Sequence, residues 1–512
     1  MKSGNRSKEL YQHWRNFLWH QLWTEEVPRF DRTAGRERFE SAPLVRAVGV
    51  VFSESGPPEQ KDEVKRWLVQ LLRDPEEKIR RYAMAALPKI GVGASEEAEL
   101  LALLRQTTNP REEKFLGRTL DKIGGKATLE AIEATGSLPL QTMQKVKASV
   151  ARRENPSVIR LDRVLAGFDS LRIHLRGRGG LEEIVADEVD AQGKFRVLEV
   201  NPGLVVIKPL APFSLADLFA LRCFGTVGFV LGHVESTSEA KFIEALAATI
   251  ASPLSQRLFD TFTQGSIRYR LEFIDRGHQR SAVRRVAERA FELCPRILND
   301  AREAPWAIDL HPAGRGHTVE LRPRLSPDPR HPYRLGDVPA ASHPPLAACL
   351  ARIAGQMENE IVWDPFCGSG QELIERALLG GVRCVHGTDL SPEAIDIAQR
   401  NFLAARFTAV EAHFTCCDFR DFAASTGLPP RSLSLIISNP PLGRRVRIPG
   451  LHALFDDLFA SAAAMLRPGG RLVFTNPFRM ESPQPSLQLE FRQVVDLGGF
   501  DCQVEVYRKA AR

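Results

Sequence analysis

EIVWDPFCGSGQELIERALLGG, from Glu360 to Gly381, is the stretch on which the fold turns. Glu360–Asp364 is short, apolar and closes on an acid, as a buried strand end does. Gly368 and Gly370 follow at once, and QELIERALL then has helical spacing. Strand, glycine turn and helix N-terminus in that order let backbone approach a ligand closely. The pattern continues downstream. VRCVHGTDL reads as a second strand ending in Asp389, nineteen residues after Gly370, where an acid can accept hydrogen bonds from a ribose diol. Ser391 and Pro392 suit the cap and first position of the next helix, SPEAIDIAQRNFLAA. VEAHFTCCDF is a third strand with Asp418 at its end. LSLIISNPPLG is a fourth, closing on Asn439, Pro440, Pro441 and Leu442. Four strands thus deliver polar residues at their C-terminal ends, where open α/β sheets bind ligands. A different nucleotide enzyme of this general fold is the competing interpretation, but it gives Asn439-Pro440-Pro441 no task.

Upstream, Leu171, Ile173 and Leu175 alternate as a strand, LEEIVADEV (Leu181–Val189) is a helix, and FRVLEV and LVVIKPL flank an Asn201-Pro202-Gly203 turn as a hairpin. Leu215–Cys223 reads as another helix. These make a small α+β domain over residues 165–236. A second α+β unit, 237–326, holds the strands IRYRLEFI, WAIDLHP and HTVELRPR and the helix SAVRRVAERAFELC. From Thr261 to Leu335 there are 14 Arg, no Lys and nine acids, a net of +5. Arginine forks match phosphate oxygens, and a basic face gains affinity by counterion release. Arg268, Arg270, Arg276, His278, Arg280 and Arg284 are the candidate RNA contacts. Ordinary pairing of the helix arginines with Glu288 and Glu292 is the alternative. His317 and His343 read as surface or RNA-contacting groups.

Residues 1–155 read as helical. LLRDPEEKIRRYAMAALPKIG, from Leu71, and LLRQTTNPREEKFLGRTLDKIGG, from Leu103, repeat at an offset of 32 residues. Pro75 and Pro110 suit the first turn of each second helix, and Gly91 and Gly124 its end. Ile79, Ala83, Ala86, Leu87 and Ile90 form one apolar face. Stacked helical hairpins, which resemble HEAT repeats, are expected, offering a docking surface for RNA or a protein partner; a plain helical bundle fits equally.

A chain of 512 residues with 43% hydrophobic and 26% charged residues is too long for one core. No apolar run is long enough to span a bilayer, so no membrane partner is expected. MKSGNRSKELYQHW lacks the apolar core of a secretion signal; a cytoplasmic location is the default, with an organellar address left open. The eight cysteines form no C-x-x-C pair, which speaks against zinc spacing or disulfides and for reduced, buried thiols; no metal is expected. The net charge of +6 is compatible with a nucleic-acid partner.

DPFCGSG and NPP-x-G, with the LEEIVADEV helix, the RGHQRS turn at Arg276–Ser281 and YRLGDVPAASHPPLA, resemble the THUMP-domain class I RNA methyltransferases that make N2-methylguanosine. The likeness runs from about Ser170 to the C-terminus. It implies a multi-domain α/β protein: the helical repeats, a ferredoxin-like α+β domain, a THUMP α+β domain gripping RNA, and a Rossmann-like methyltransferase domain over 335–512. It implies that Asp364, Pro365, Phe366, Cys367, Gly368, Ser369 and Gly370 hold the methionine part of S-adenosyl-L-methionine. Asp389 would bind its ribose and Leu390 lie against the adenine, with Asp418 and Phe419 at the adenine edge. Asn439, Pro440, Pro441 and Leu442 would receive the target amine. GRRVR after NPPL looks more like the tRNA-acting members than the ribosomal ones. Two residues depart from the family: Gln371 stands where Thr is usual, and Leu442 replaces an aromatic that stacks on the flipped base, with Phe478 a substitute. A catalytically weak RNA-binding scaffold is the alternative that Leu442 favours.

Overall fold

The computed structural model describes residues 3–91, 94–135, 147, 149–150, 152–153, 155–166, 170–235, 238–274, 277, 279–339, 341–443, 450–478 and 480–511. The chain divides into two compact units, Met1–Pro156 and Ser157–Arg512.

The first unit is helical among its described residues. The repeated stretches place helices at Glu77–Ile90 and Pro110–Ile123. The apolar set Ile79, Ala83, Ala86, Leu87 and Ile90 is buried. Asn109 caps the second helix by accepting from the Arg111 N–H at 2.9 Å, with Pro110 in the first turn. The first repeat differs. Asp74 accepts from the Glu76 N–H at 2.9 Å, and the helix starts at Glu77, so Pro75 lies before its first turn. Gly91 closes its helix at φ +71°, whereas Gly124 is extended. Arg80 pairs with Glu112 at 2.5 Å, joining the two repeats across their offset. Gly49 lets helix Pro43–Ser55 approach Glu77–Ile90, since a Cβ there would lie 2.6 Å from the Ala86 Cβ.

The second unit is built on two large sheets, beside two short two-stranded ones. The strands of the first are β1 (Ile173–Arg176), β2 (Phe195–Asn201), β3 (Leu204–Pro209), β4 (Thr226–Glu235), β5 (Ile267–Phe273), β6 (Ile297–Asn299), β7 (Trp306–Ala313) and β8 (Gly316–Pro323). They form one sheet in the order β6-β5-β7-β8-β4-β1-β3-β2. The division expected near residue 236 therefore runs through a continuous ladder, with β8 antiparallel to β4 and Glu320 opposite Val230. The helix expected over Leu215–Cys223 stops at Leu218. The buried Glu188 carboxylate accepts from the backbone N–H groups of Arg222 (2.9 Å) and Cys223 (2.8 Å), which draws that segment out of helical geometry.

The second sheet comprises β9 (Glu360–Asp364), β10 (Val382–Asp389), β11 (Glu411–Cys416), β12 (Leu433–Ser438), β13 (Leu466–Asn476), β14 (Leu487–Asp496) and β15 (Asp501–Lys509). Its order is β11-β10-β9-β12-β13-β15-β14. The first five run parallel, and β15 is antiparallel to both neighbours. The strand order reverses between β9 and β12, the switch point where open α/β sheets bind ligands beyond the strand ends. The sheets meet at the loop after β1. There Gly179 O accepts from the Asp496 N–H at 3.0 Å, and Arg178 Nη1 donates to Asp496 O at 3.2 Å. Gly180, at φ +94°, leaves no room for a Cβ against the Val494 carbonyl. Arg222 reaches the other way to the buried Glu375 at 2.7 Å. Among the described residues, no helix is long and apolar enough to cross a membrane.

Candidate active site at the switch point

Asp364 ends β9 fully buried. Its Oδ1 accepts from the Phe366 N–H at 3.0 Å and from the Ser438 hydroxyl at 2.6 Å. Ser438 is the last residue of β12, so the turn after Trp363 and the turn after Ser438 are neighbours on one edge of the sheet. The other carboxylate oxygen, Oδ2, is buried without a partner, as are Ser369 Oγ and Glu372 Oε1. Burial, reinforced by the nearby Glu372 carboxylate, pushes the Asp364 carboxyl well above its usual range. Burial pushes Glu372 up to about 7. A pair of buried, undersatisfied carboxyls favours a cationic ligand, which would restore their ionised forms.

The glycine turn is built for close approach. Gly368 and Gly370 lie at φ +48° and +80°. The Cys367 N–H donates to Thr388 O at 2.9 Å, and the Gly370 N–H donates to Cys367 O at 2.7 Å. Pro365 is buried, Phe366 half-buried, and Cys367 and Ser369 buried. Asp389, at the end of β10, accepts from the Gly368 N–H at 3.1 Å and the Ser391 N–H at 2.9 Å. This leaves lone pairs on each oxygen. Leu390 is 72% exposed. Asp418 lies two residues past β11, where it accepts from the Arg420 N–H at 2.9 Å and pairs with the Arg420 guanidinium at 2.8 Å. Phe419 is buried against Phe366, their ring centroids 4.9 Å apart.

Asn439 follows β12 with both ends of its amide engaged. Oδ1 accepts from the Thr475 hydroxyl at 2.5 Å, and Nδ2 donates to Ser342 Oγ at 2.9 Å. These two hydroxyls hold the amide group in place. The Ser342 hydroxyl also works against the rise that burial imposes on the Glu372 carboxyl. Pro440 is buried, and Pro441 and Leu442 are half-buried. Phe478 stacks on His452 with centroids 3.7 Å apart, so its ring already has a partner. Gln371, the other departure, donates to the Tyr333 hydroxyl, which itself bonds Glu375 at 2.5 Å.

Ser342, Thr475 and Asn401 were not anticipated. Asn401 donates to Ser369 O and Gly336 O, both at 3.0 Å, and accepts from the Leu335 N–H at 2.9 Å, pinning the segment before the domain to the glycine turn. A polar residue at an otherwise apolar helix position was its only signal.

The basic candidates scatter. Arg268 is buried on β5, which removes it from the surface set. Arg270 pairs with Glu272 at 2.6 Å. Arg280 is exposed. Arg284 is exposed and pairs with Glu288 at 2.8 Å. Arg276 and His278, and Arg444, Arg445 and Arg447 of GRRVR, lie outside the described residues. His317 is buried between the Phe242 and Phe273 rings, against the expectation of a surface residue. His343 is exposed, at a cleft that Arg176 and Arg178 also line, one residue from Ser342. The thiols also depart from expectation: six of the eight cysteines are buried, but Cys416 is exposed and Cys417 half-buried.

Residues 331–483 match the family described as UPF0020, RMKL-like, methyltransferase domain. A tRNA (guanine(6)-N2)-methyltransferase of Thermus thermophilus is 33% identical over 174 residues, 32% of this chain and 49% of that one. A tRNA (guanine(10)-N2)-dimethyltransferase of Methanothermobacter thermautotrophicus is 28% identical over 148 residues, 28% of this chain and 40% of that one. A ribosomal protein L11 methyltransferase of Azotobacter vinelandii is 28% identical over 187 residues, 35% of this chain and 58% of that one. The chain thus spans about half or less of the two tRNA enzymes it matches. The crystal structure of TrmN from Thermus thermophilus superposes with a TM-score of 0.54 at 22% identity, covering 66% of this chain and 99% of that one. That likeness concerns the fold.

Proposed function

We propose that the chain is an S-adenosyl-L-methionine-dependent methyltransferase acting on the exocyclic N2 of guanosine in RNA, tRNA in particular. The observation that carries this is the Ser438–Asp364 hydrogen bond of 2.6 Å, which couples a cation-seeking carboxyl to the Asn439 turn at the switch point. The match of residues 331–483 to a methyltransferase domain and the two tRNA guanine-N2 relatives support it. The domain assignments go with it: HEAT-like helices over 1–155, a ferredoxin-like domain over 165–236, THUMP over 237–326, and the methyltransferase over 335–512.

The residues fit the cofactor's chemistry. S-adenosylmethionine supplies a methyl group on a sulfonium, which needs no metal to be electrophilic. Asp364 Oδ2, Glu372 Oε1 and Ser369 Oγ are buried polar atoms lacking partners, suited to its charged amino-acid end. Asp389, already oriented by two backbone N–H groups, has lone pairs left for the ribose hydroxyls. Asp418 and Phe419 would border the adenine, with Leu390 on its face. An aryl amine is a poor nucleophile because its lone pair is delocalised into the ring. Asn439 Oδ1 and the Pro440 carbonyl, accepting from the NH₂, favour a pyramidal nitrogen with its lone pair free. Catalysis is then alignment and electrostatic matching. Thr475 and Ser342 hold the amide that does this.

RNA would meet Arg270 on β5, Arg280 and Arg284 on the helix Arg280–Leu293, and the cleft of Arg176, Arg178 and His343 beside Ser342. Leu442 and the occupied Phe478 ring favour one further reading, an RNA-binding scaffold with weak turnover. Incubation with labelled cofactor and bulk tRNA, then nucleoside analysis, separates them. Label in N2-methylguanosine is the expected result. RNA binding with no incorporation overturns the enzyme, and label in ribosomal RNA or protein overturns the substrate.

A further inference from the structure

The outer edge of the second sheet carries a cluster that methyl transfer does not use. β10 and β11 are parallel and in register, with Cys384 opposite Glu411 and His386 opposite His413. Alternate residues of a strand share a face, so all four side chains stand on one side of the sheet. A ligand atom from each of Cys384, Glu411 and His413 lies within 4.8 Å of the others. Metal–ligand bonds of roughly 2.0–2.3 Å place tetrahedral ligands some 3–4 Å apart, so small rotations would close the site. Cys384 and His386 are buried, while Glu411 and His413 are exposed, which leaves the cluster open to entry from solvent. His386 Nε2 touches Cys384 Sγ at 3.3 Å, and His386 Nδ1 is buried without a partner.

We propose that Cys384, Glu411 and His413 bind a borderline-soft divalent cation of the zinc class. Thiolate and carboxylate together neutralise the dication, and neutral imidazole completes a mixed S/O/N set. That set favours zinc or cobalt over magnesium or calcium, which take oxygen ligands. Three protein donors leave a fourth position for water. His386 lies behind the sulfur, able to orient it through the Nε2 contact. Linear spacing hid the set, because C-x-H and E-x-H meet only through strand pairing.

Cobalt(II) titration of tag-free, chelator-treated full-length protein tests this, independently of methyl transfer. The expected result is one equivalent bound with a sulfur-to-cobalt charge-transfer band, displaced by one equivalent of zinc. Glu411→Gln and His413→Gln, both at exposed positions, should weaken binding at least ~10-fold, and Cys384→Ala should abolish the band. Cys416→Ala, at the exposed thiol end of β11, should keep it. Absence of the band in the wild-type protein, its loss in Cys416→Ala, or unchanged affinity in Glu411→Gln and His413→Gln overturns the site. If Cys384→Ala fails to fold, the two glutamine variants decide.

Discussion

The second unit buries several carboxylates, and Glu320, on one side, and Asp364 with Glu372, on the other, are treated in opposite ways. Glu320, on β8 of the upstream sheet, is saturated: His174 Nδ1 lies at 2.6 Å, Arg176 pairs with it, and His311 stands at 3.4 Å. Despite burial, those partners hold its carboxyl down at about 2. Asp364, at the end of β9 in the downstream sheet, and Glu372, on the helix after the glycine turn, each keep an oxygen with no partner, and both are pushed up. A satisfied buried charge holds a fold together. An unsatisfied one costs stability and persists where a ligand completes it.

The largest expected effect is on Glu320→Gln, which leaves the Arg176 guanidinium without its carboxylate in a largely buried site. It should lower stability by about 3–5 kcal/mol in denaturant unfolding and leave cofactor affinity intact where the protein remains folded. Asp364→Asn should do the reverse, with little loss of stability and a large fall in S-adenosylmethionine affinity by calorimetry; equal stability losses in the two variants would erase the distinction. Asn439→Ala should reduce kcat by about 10²–10³-fold, taking the loss of one preorganised polar contact as the guide, with cofactor affinity nearly unchanged. Lost cofactor binding in that variant would misplace the acceptor site.

Acid and base should also separate the two carboxylates. The Glu320 carboxyl is held below its unfolded value, so its stabilisation is present above about pH 4.5 and fades as pH falls toward 2. The Glu372 carboxyl is raised to about 7. Its contribution is present below its unfolded value near 4.5 and is lost as pH rises through about 7. Glu372→Gln should therefore stabilise the cofactor-free protein at pH 8, by roughly 1–3 kcal/mol, with little change at pH 4. A gain of the same size at both pH values would show that Glu372 does not titrate in this window. The smallest effects belong to Ser342→Ala and Thr475→Val. Each removes one restraint on the Asn439 amide and should lower kcat about 10-fold without raising the cofactor Kd, since ~1.4 kcal/mol is the worth of one such hydrogen bond.

Local pattern was enough for the downstream strands, because their ends are marked by Asp364, Asp389 and Asn439 and their helices open on caps such as Ser391, which accepts from the Ala394 N–H at 3.2 Å. What depends on pairing across the chain was not legible. Alternation along β5 does not reveal that Arg268 faces inward, and no linear signal joins Ser342 to Asn439 across 97 residues. The continuity of the upstream sheet escaped notice for the same reason: β4 and β8 each look complete until their ladder is drawn. Nothing in the linear sequence sets Gly180 apart from other loop glycines. Only the packed structure gives it a task.

That task has a mechanical consequence. With no side chain at 180, the loop after β1 sits flush on β14, one of the contacts that hold the upstream sheet against the downstream one. A methyl group at this one position would wedge the contact apart. If RNA binds as proposed, part of the reach between the upstream arginines and the Asn439 turn rests on an atom that is missing.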